Sequence, residues 1–289
     1  MKTGQAQDLL RRRFTPLPAY PAGAAGSPHG GYRPYEECAM NEKTVPDLNG
    51  LSDAELHRLN IYHTSDEHYS ERQLHSLYGM LNEDQDRSII RFVKGPKVLD
   101  VGAGYGTLSR RLKDAGFEVT SIEPDPHMRE IAKKWNDVDE LPHSIYKTPF
   151  DANSFDTVIL RECVEHLDFI EALKEIRRIC NKRVLVFEPN VNAMITLARK
   201  IVSLEEYNPQ DLDYYRKHLT AAGFTKQEVI FRDLIAFPLS GGYCAPQLIP
   251  RIHSIERAVR QIDKTLTDMA RYTRLASFLC WRYLLISDT

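Results

Sequence analysis

The stretch PKVLDVGAGYGTLSRRL, residues 96–112, limits what this chain can fold into more than any other. Val98–Val101 reads as a buried strand with a carboxylate, Asp100, inside its end. Gly102, Gly104 and Gly106 follow within five residues, and a helical pattern then runs to Gly116. A strand, a glycine-rich turn and a helix in that order hold a nucleotide-like ligand. The spacing is GxGxG. The dinucleotide fingerprint is GxGxxG, with its third glycine packing helix against strand. A carboxylate as close as Asp100 would repel a pyrophosphate and suits a cationic ligand. Both features speak against an NAD-type site.

The residues after Lys97 alternate between strands and helices. KVLDVG, FEVTSIE, HSIYK, SFDTVILR, KRVLVFEP, KQEVIFRDLIAF and FLCWRYLLIS are the expected strands. HSIYK is the weakest of them. Between them lie helical stretches such as DPHMREIAKKW, LDYYRKHLTAAGF and DFIEALKEIRRIC, the last with Phe169, Leu173 and Ile176 at helical spacing. This order builds an α/β, doubly wound, mostly parallel sheet of seven strands, with ligands beyond the carboxyl ends of the strands. Residues 238–276 interrupt the pattern with a Gly/Pro-rich loop and a polar helix, before the last strand.

Three regions are expected. Residues 1–48, rich in Pro, Gly and Ala and without apolar period, are expected to be flexible. Residues 49–95 are expected to form a helical lid. Ser52 and Glu55 have capping-box spacing, and a second helix is expected over about residues 70–92. Residues 96–289 make the main domain. A length of 289 residues and 42% hydrophobic composition allow a sizeable core. The formal net charge of -2 gives no global pull toward nucleic acid or membrane. No apolar run approaches the ~20 residues of a membrane span, and no apolar region follows the N-terminal RRRF, so neither a span nor a secretory signal is expected. Cys38, Cys163, Cys180, Cys244 and Cys280 are scattered without a CxxC pair, which fits reduced thiols and a cytoplasmic protein.

VLDVGAGYG, VTSIEPD, FDTVILRECVEHL and RVLVFEPN, in this order, resemble the successive motifs of class I S-adenosylmethionine (SAM)-dependent methyltransferases. The resemblance covers about residues 98–231. It implies that SAM is the cofactor and that Gly102, Ala103, Gly104 and Gly106 let the backbone approach its amino-acid part. Glu123 would accept hydrogen bonds from the two ribose hydroxyls, for which a two-oxygen carboxylate is suited. Asp100 would act near the methionine ammonium through backbone or water. Pro124 and Asp125 would flank the adenine, and TPFDANSFD is similar to the segment that covers its other side, with Phe150 in contact with the cofactor or only packing. Arg161 at the end of the fourth strand belongs to the same cofactor set. The family's acid before the PF dipeptide is missing here, where the chain reads SIYKTPF. Tyr69 in the expected lid is a further cofactor candidate, with His63, His68 and Arg72 near it.

Methyl transfer from SAM is an in-line displacement, and the acceptor must be aligned beside the fourth strand. Glu162, Glu165 and His166 stand there at i, i+3, i+4, a spacing that puts three side chains on one side of a helical turn. They are the candidate catalytic residues. His166 would be base or acceptor-orienting group, or only packing, and the three together are the candidate set for Mg2+. The E-x-x-E-H pattern is similar to that of ubiquinone-pathway O-methyltransferases and of RNA 3′-terminal 2′-O-methyltransferases. The RNA enzymes add a histidine after the PN turn. This chain has none there, only Glu205 and Glu206. That absence and the net charge disfavour a nucleic-acid partner. Tyr243, in the SGGYCAPQ loop, would stack on an aromatic acceptor or simply pack. The expected function is methyl transfer to a small-molecule acceptor, at oxygen. A non-catalytic SAM-fold scaffold and the RNA enzyme are the alternatives.

Overall fold

Lys97–Val101 forms β1, buried from Val98 onward. Its side chains divide between two apolar layers, as a strand covered on both faces requires. Leu99 and Val101 enter one layer and Val98 the other. The computed structural model describes residues 76–191, 210–242, 247–270, 273 and 275–289, all within one compact unit, Thr44–Thr289. The other strands are β2 (Glu118–Ile122), β3 (Phe155–Arg161), β4 (Cys180–Pro189), β5 (Lys226–Arg232) and β6 (Arg282–Asp288). They form one sheet in the order β2-β1-β3-β4-β6-β5. Strands β2, β1, β3 and β4 pair in parallel, and β6 lies antiparallel between β4 and β5.

The helices are α1 (Leu77–Arg91), α2 (Thr107–Asp114), α3 (Pro126–Asn136), α4 (Phe169–Ile179), α5 (Leu212–Ala221), α6 (Ala236–Leu239), α7 (His253–Ala270) and α8 (Ala276–Leu279). On one side of the sheet, Phe169, Leu173 and Ile176 of α4 and Leu219 of α5 pack with Val158, Val184 and Leu285. On the other, Ile89 of α1 and Leu108 and Leu112 of α2 pack with Ile159, Leu185 and Leu284. The register sets Val101 level with Ile122 and with Leu160, and Arg161 level with Phe187. The carboxyl ends of four strands therefore open at one edge. The winding reverses there between β1 and β3, which is where such sheets bind ligands. Among the described residues no helix is long and apolar enough to cross a membrane.

Two expectations change. The sheet has six strands among the described residues, not seven. HSIYK is a turn, and only Leu141 makes a parallel bridge, to Ile122. Pro142 follows that bridge with no N–H to extend a ladder. Ile145 instead drops into the core, and the Tyr146 hydroxyl accepts from the Asp168 N–H at 2.7 Å. The second change concerns the N-terminal helix. α1 begins at Leu77, where the Ser76 hydroxyl accepts from the Gly79 N–H at 3.2 Å. It packs as a layer on the sheet, and no residue of it lines the cleft described below. The rest of the expected lid, residues 49–75, lies outside the described residues.

Candidate active site

The loop after β1 turns through three glycines in left-handed conformation, with φ of 63°, 61° and 71° at Gly102, Gly104 and Gly106. Two of them also need to be small. A Cβ on Gly102 would come within 2.9 Å of Cys163 Cβ, and one on Gly106 within 3.0 Å of Ala132 Cβ. Gly106 is the N-cap of α2. The Gly102 and Ala103 N–H groups donate to the Ile122 carbonyl at 2.9 and 3.2 Å, which ties the loop to β2. Gly104 differs: an added Cβ would meet nothing nearer than the Gly102 carbonyl oxygen, 4.0 Å away.

Glu123 directly follows β2 and bonds to this loop. Its Oε2 accepts from the Gly104 N–H and its Oε1 from the Asp125 N–H, both at 2.9 Å. Burial pushes its pKa up to about 7. Asp125 caps α3 through Oδ1, which accepts from the His127 N–H at 2.8 Å. Its buried Oδ2 has no partner. Asp100 lies one layer deeper. Its Oδ2 accepts from the Ser109 hydroxyl at 2.6 Å, and burial pushes it up to about 6.

A cleft of about 190 Å³ opens over these groups. Val101, Gly102, Gly104, Glu123, Pro124, Asp125, Glu162, Cys163, His166 and Leu167 line it. Met128, His143, Ser144 and Ile145 complete the wall. The turn that the sequence suggested as a strand supplies three of these last four.

Glu162 is the first residue beyond β3 and has φ 52°. Its N–H donates to the Phe187 carbonyl at 2.8 Å. Only Val164–His166 is helical, and it is a 3-10 turn. Glu162 lies outside it in a left-handed kink, so the α-helical i, i+3, i+4 geometry expected for Glu162, Glu165 and His166 does not form. The Glu162 carboxylate accepts from Arg282 Nη1 at 3.1 Å. Glu165 Oε1 lies 3.7 Å from His166 Nε2. Among the described residues no group of three or more His, Cys, Asp or Glu is placed to hold a metal ion. Buried Glu188, at the end of β4, supports the turn by accepting from the Cys163 and Val164 N–H groups at 3.0 and 3.2 Å. Burial drives the His166 imidazole down to about 4, so it is uncharged at neutral pH.

The expected residues thus divide. Gly102, Gly104, Glu123, Pro124, Glu162 and His166 surround one cleft. Asp100, Ala103 and Gly106 do not line it, and Glu165 stands beside His166. Arg161 turns away: its guanidinium pairs with Asp86 of α1 and donates to the Thr107 hydroxyl at 3.3 Å. Phe150 packs edge-on against Phe155, with ring centroids 5.0 Å apart, and does not line the cleft. Tyr69, His63, His68, Arg72, Glu205, Glu206 and Tyr243 lie outside the described residues. Sequence reading missed Arg282 and the support role of Glu188. Glu188 sits in the quoted FEPN motif, but no local pattern marks Arg282.

A mostly parallel sheet with one antiparallel strand inserted near its edge, a glycine loop after β1 and an acid directly after β2 define the arrangement. The arrangement is similar to the fold of SAM-dependent methyltransferases. Residues 99–187 match the family described as "Methyltransferase domain". The chain is 27% identical over 183 residues to an uncharacterized methyltransferase of Alkaliphilus oremlandii, covering 60% of this chain and 76% of that protein. It is 33% identical over 88 residues to the ubiquinone biosynthesis O-methyltransferase of Methylocella silvestris, covering 29% of this chain and 34% of that one. A SAM-dependent methyltransferase from Archaeoglobus fulgidus shares the fold, with a TM-score of 0.55 at 18% identity, over 76% of this chain and 98% of that one. The chain spans about a third of the length of most curated relatives it matches.

Proposed function

We propose that the protein transfers a methyl group from SAM to a hydroxyl of a small-molecule acceptor. The observation that carries this reading is that Glu123 and His166 line the same cleft. The cleft suits the cofactor. Glu123 has oxygen lone pairs left beyond its two backbone bonds to take ribose hydroxyls. Asp125 keeps a buried, unpartnered oxygen beside it. Gly104 leaves open the space that a side chain would fill. SAM supplies an electrophilic methyl on a cationic sulfur.

The chain's own residues do the rest. Gly104 and Glu123 anchor, and Leu167 and Ile145 keep water from one side. His166, uncharged at neutral pH, can take the proton from an acceptor hydroxyl at a ring nitrogen as the new bond forms. The relative from Methylocella silvestris, named for O-methylation, supports oxygen as the acceptor atom. Mg2+ is not part of this reading, because Glu162 is committed to Arg282 and the three candidate ligands do not converge.

Calorimetric titration with SAM and S-adenosylhomocysteine tests the cofactor half. Glu123→Ala is expected to weaken SAM by ~10–100-fold, the loss of hydrogen bonds to a charged group. Gly104→Val should abolish binding. Incubation with labelled SAM and a panel of phenols and catechols tests the rest. Methylated product supports it, whereas SAM bound without product from any hydroxyl acceptor would favour the scaffold reading. Transfer only to RNA with a free terminal 2′-hydroxyl would favour the RNA enzyme.

A further inference from the structure

The helix α7 wears its amphipathic pattern inside out. A helix on the surface of a domain ordinarily turns its apolar stripe to the core and its polar residues to solvent. Here Glu256, Asp263 and Thr267 are buried, while Ile255, Ile262, Leu266 and Met269 are exposed. Polar contacts fasten the inner face. Glu256 Oε1 accepts from Gln247 Nε2 at 2.8 Å, and Arg260 Nε donates to Asp84 Oδ2 of α1 at 2.5 Å. Val259 adds apolar packing against the small cluster of Leu77, Leu81 and Phe237.

The exposed residues are not scattered. Ile255, Ile262 and Met269 stand seven apart and Leu266 four beyond Ile262, so at about 3.6 residues per turn all four share one face. Ile262 and Met269 are exposed by 52% and 66%. Ala258 and Thr265 follow Ile255 and Ile262 by three residues, and their short side chains leave room for a facing helix. A seven-residue apolar spacing is that of paired helices. Leu248 and Ile252 before the helix and Leu275 and Phe278 after it are exposed as well. With these included, the exposed apolar area is on the order of 800 Å², the share that one partner gives to a standard interface.

We propose that a second copy of this chain covers the stripe, two α7 helices pairing across a two-fold axis. An apolar stripe is complementary to itself, which is what a two-fold interface requires. The charges on the helix favour this occupant over a lipid surface. A helix that lies on lipid carries Lys and Arg on the polar face that borders its apolar one. Arg257 and Lys264 instead stand roughly 140–160° around α7 from Ile262, at about 100° per residue. Ser254, Gln261 and Thr265 border the stripe toward solvent, so two copies meet there without opposing like charges. None of these residues lines the cleft, and pairing leaves it open.

Sedimentation velocity of the full chain over a wide range of concentration tests this. The wild type is expected to sediment as a dimer at high concentration and to dissociate on dilution. Ile262→Glu places a charge in the middle of the stripe, where a second copy brings its like against it, and should raise the dissociation constant by ~100-fold or more. Met269→Glu should act in the same way. Arg257→Glu, on the far side of the helix, should leave association unchanged. All three substitutions are at exposed positions, so the variants should keep the circular dichroism of the wild type. A wild type that stays monomeric at every concentration overturns the proposal, as does a dimer that both stripe variants leave intact. Equal weakening by Arg257→Glu would overturn it too. A monomeric wild type that sediments with phosphatidylglycerol vesicles, and loses this with Ile262→Glu, would assign the face to lipid instead.

Discussion

Burial governs His166 more than the carboxylate beside it. Glu165 stands 3.7 Å from Nε2, yet the imidazole is pushed down to about 4. A base held uncharged in this way still accepts a proton well below neutrality. The acid limb of kcat/KM that belongs to His166 should therefore appear as pH falls through about 4, and not near the ~6.5 of an exposed histidine. His166→Ala should lower the rate by ~10²–10⁴ and remove that limb, as a pH profile of both proteins would show. A limb near 6.5 that survives the substitution would assign it to another group. The residue types of this wall were legible in the sequence, because strand ends face the ligand crevice. Their arrangement was not. Periodicity assumes regular φ, and Glu162 departs from it at 52° under the hold of Arg282, a residue 120 positions away.

Among the elements, strands with dense apolar runs were readable and edges were not. β1, β3 and β4 are buried on both faces, and their sequences show it without reference to any partner. HSIYK carries a similar local pattern, but Pro142 stops the ladder after a single bridge. The polar helix before the last strand exists as α7, and its polarity has an unexpected use. Glu256, Asp263 and Thr267 face inward. Asp263 Oδ1 accepts from the N–H groups of Leu234, Ile235 and Ala236 at 2.9, 2.6 and 2.8 Å. One carboxylate thus satisfies the backbone at the start of α6, from a distance along the chain that no local signature records. Asp263→Ala leaves these donors unmet and should destabilise the fold by ~1–3 kcal/mol. Asp263→Asn, with one oxygen retained, should cost less. Denaturant unfolding of the two variants checks the order, and equal losses would argue against the capping role.

For the whole molecule, sheet topology followed from the alternation of strands and helices, while the electrostatic balance did not, since burial creates it. Asp100, Glu123 and Glu140 gather around the glycine loop and are pushed up by burial to about 6, 7 and 9. Neither oxygen of Glu140 has a partner, and Glu123 and Asp100 repel its charge while Arg129 and Lys113 attract it. Raised acids leave the folded state holding more protons than the unfolded one, so their contribution to stability falls as pH rises, here from about 4 to about 9. Asp288 works in the opposite sense. Arg183 holds it below its ordinary value, and its contribution is lost in acid. The ligand-free protein should show its highest Tm in mildly acidic buffer and a decline toward pH 9. Glu140→Gln should flatten that decline and raise Tm at the alkaline end. Scanning calorimetry across the range checks both, and a wild-type Tm that climbs steadily to pH 9 would exclude this account.

The place of β6 carries a further consequence, for biosynthesis. A ribosome makes β4 and β5 first, yet in the finished sheet they are joined only through β6. Until Arg282–Asp288 has been translated, the nascent chain holds two open strand edges, of the kind that recruit other chains. Glu162 and Asp233 likewise wait for their guanidinium. The half of the sheet that holds the glycine loop can assemble early, whereas Glu162 and Asp233 gain their shared partner only when the strand bearing Arg282 arrives.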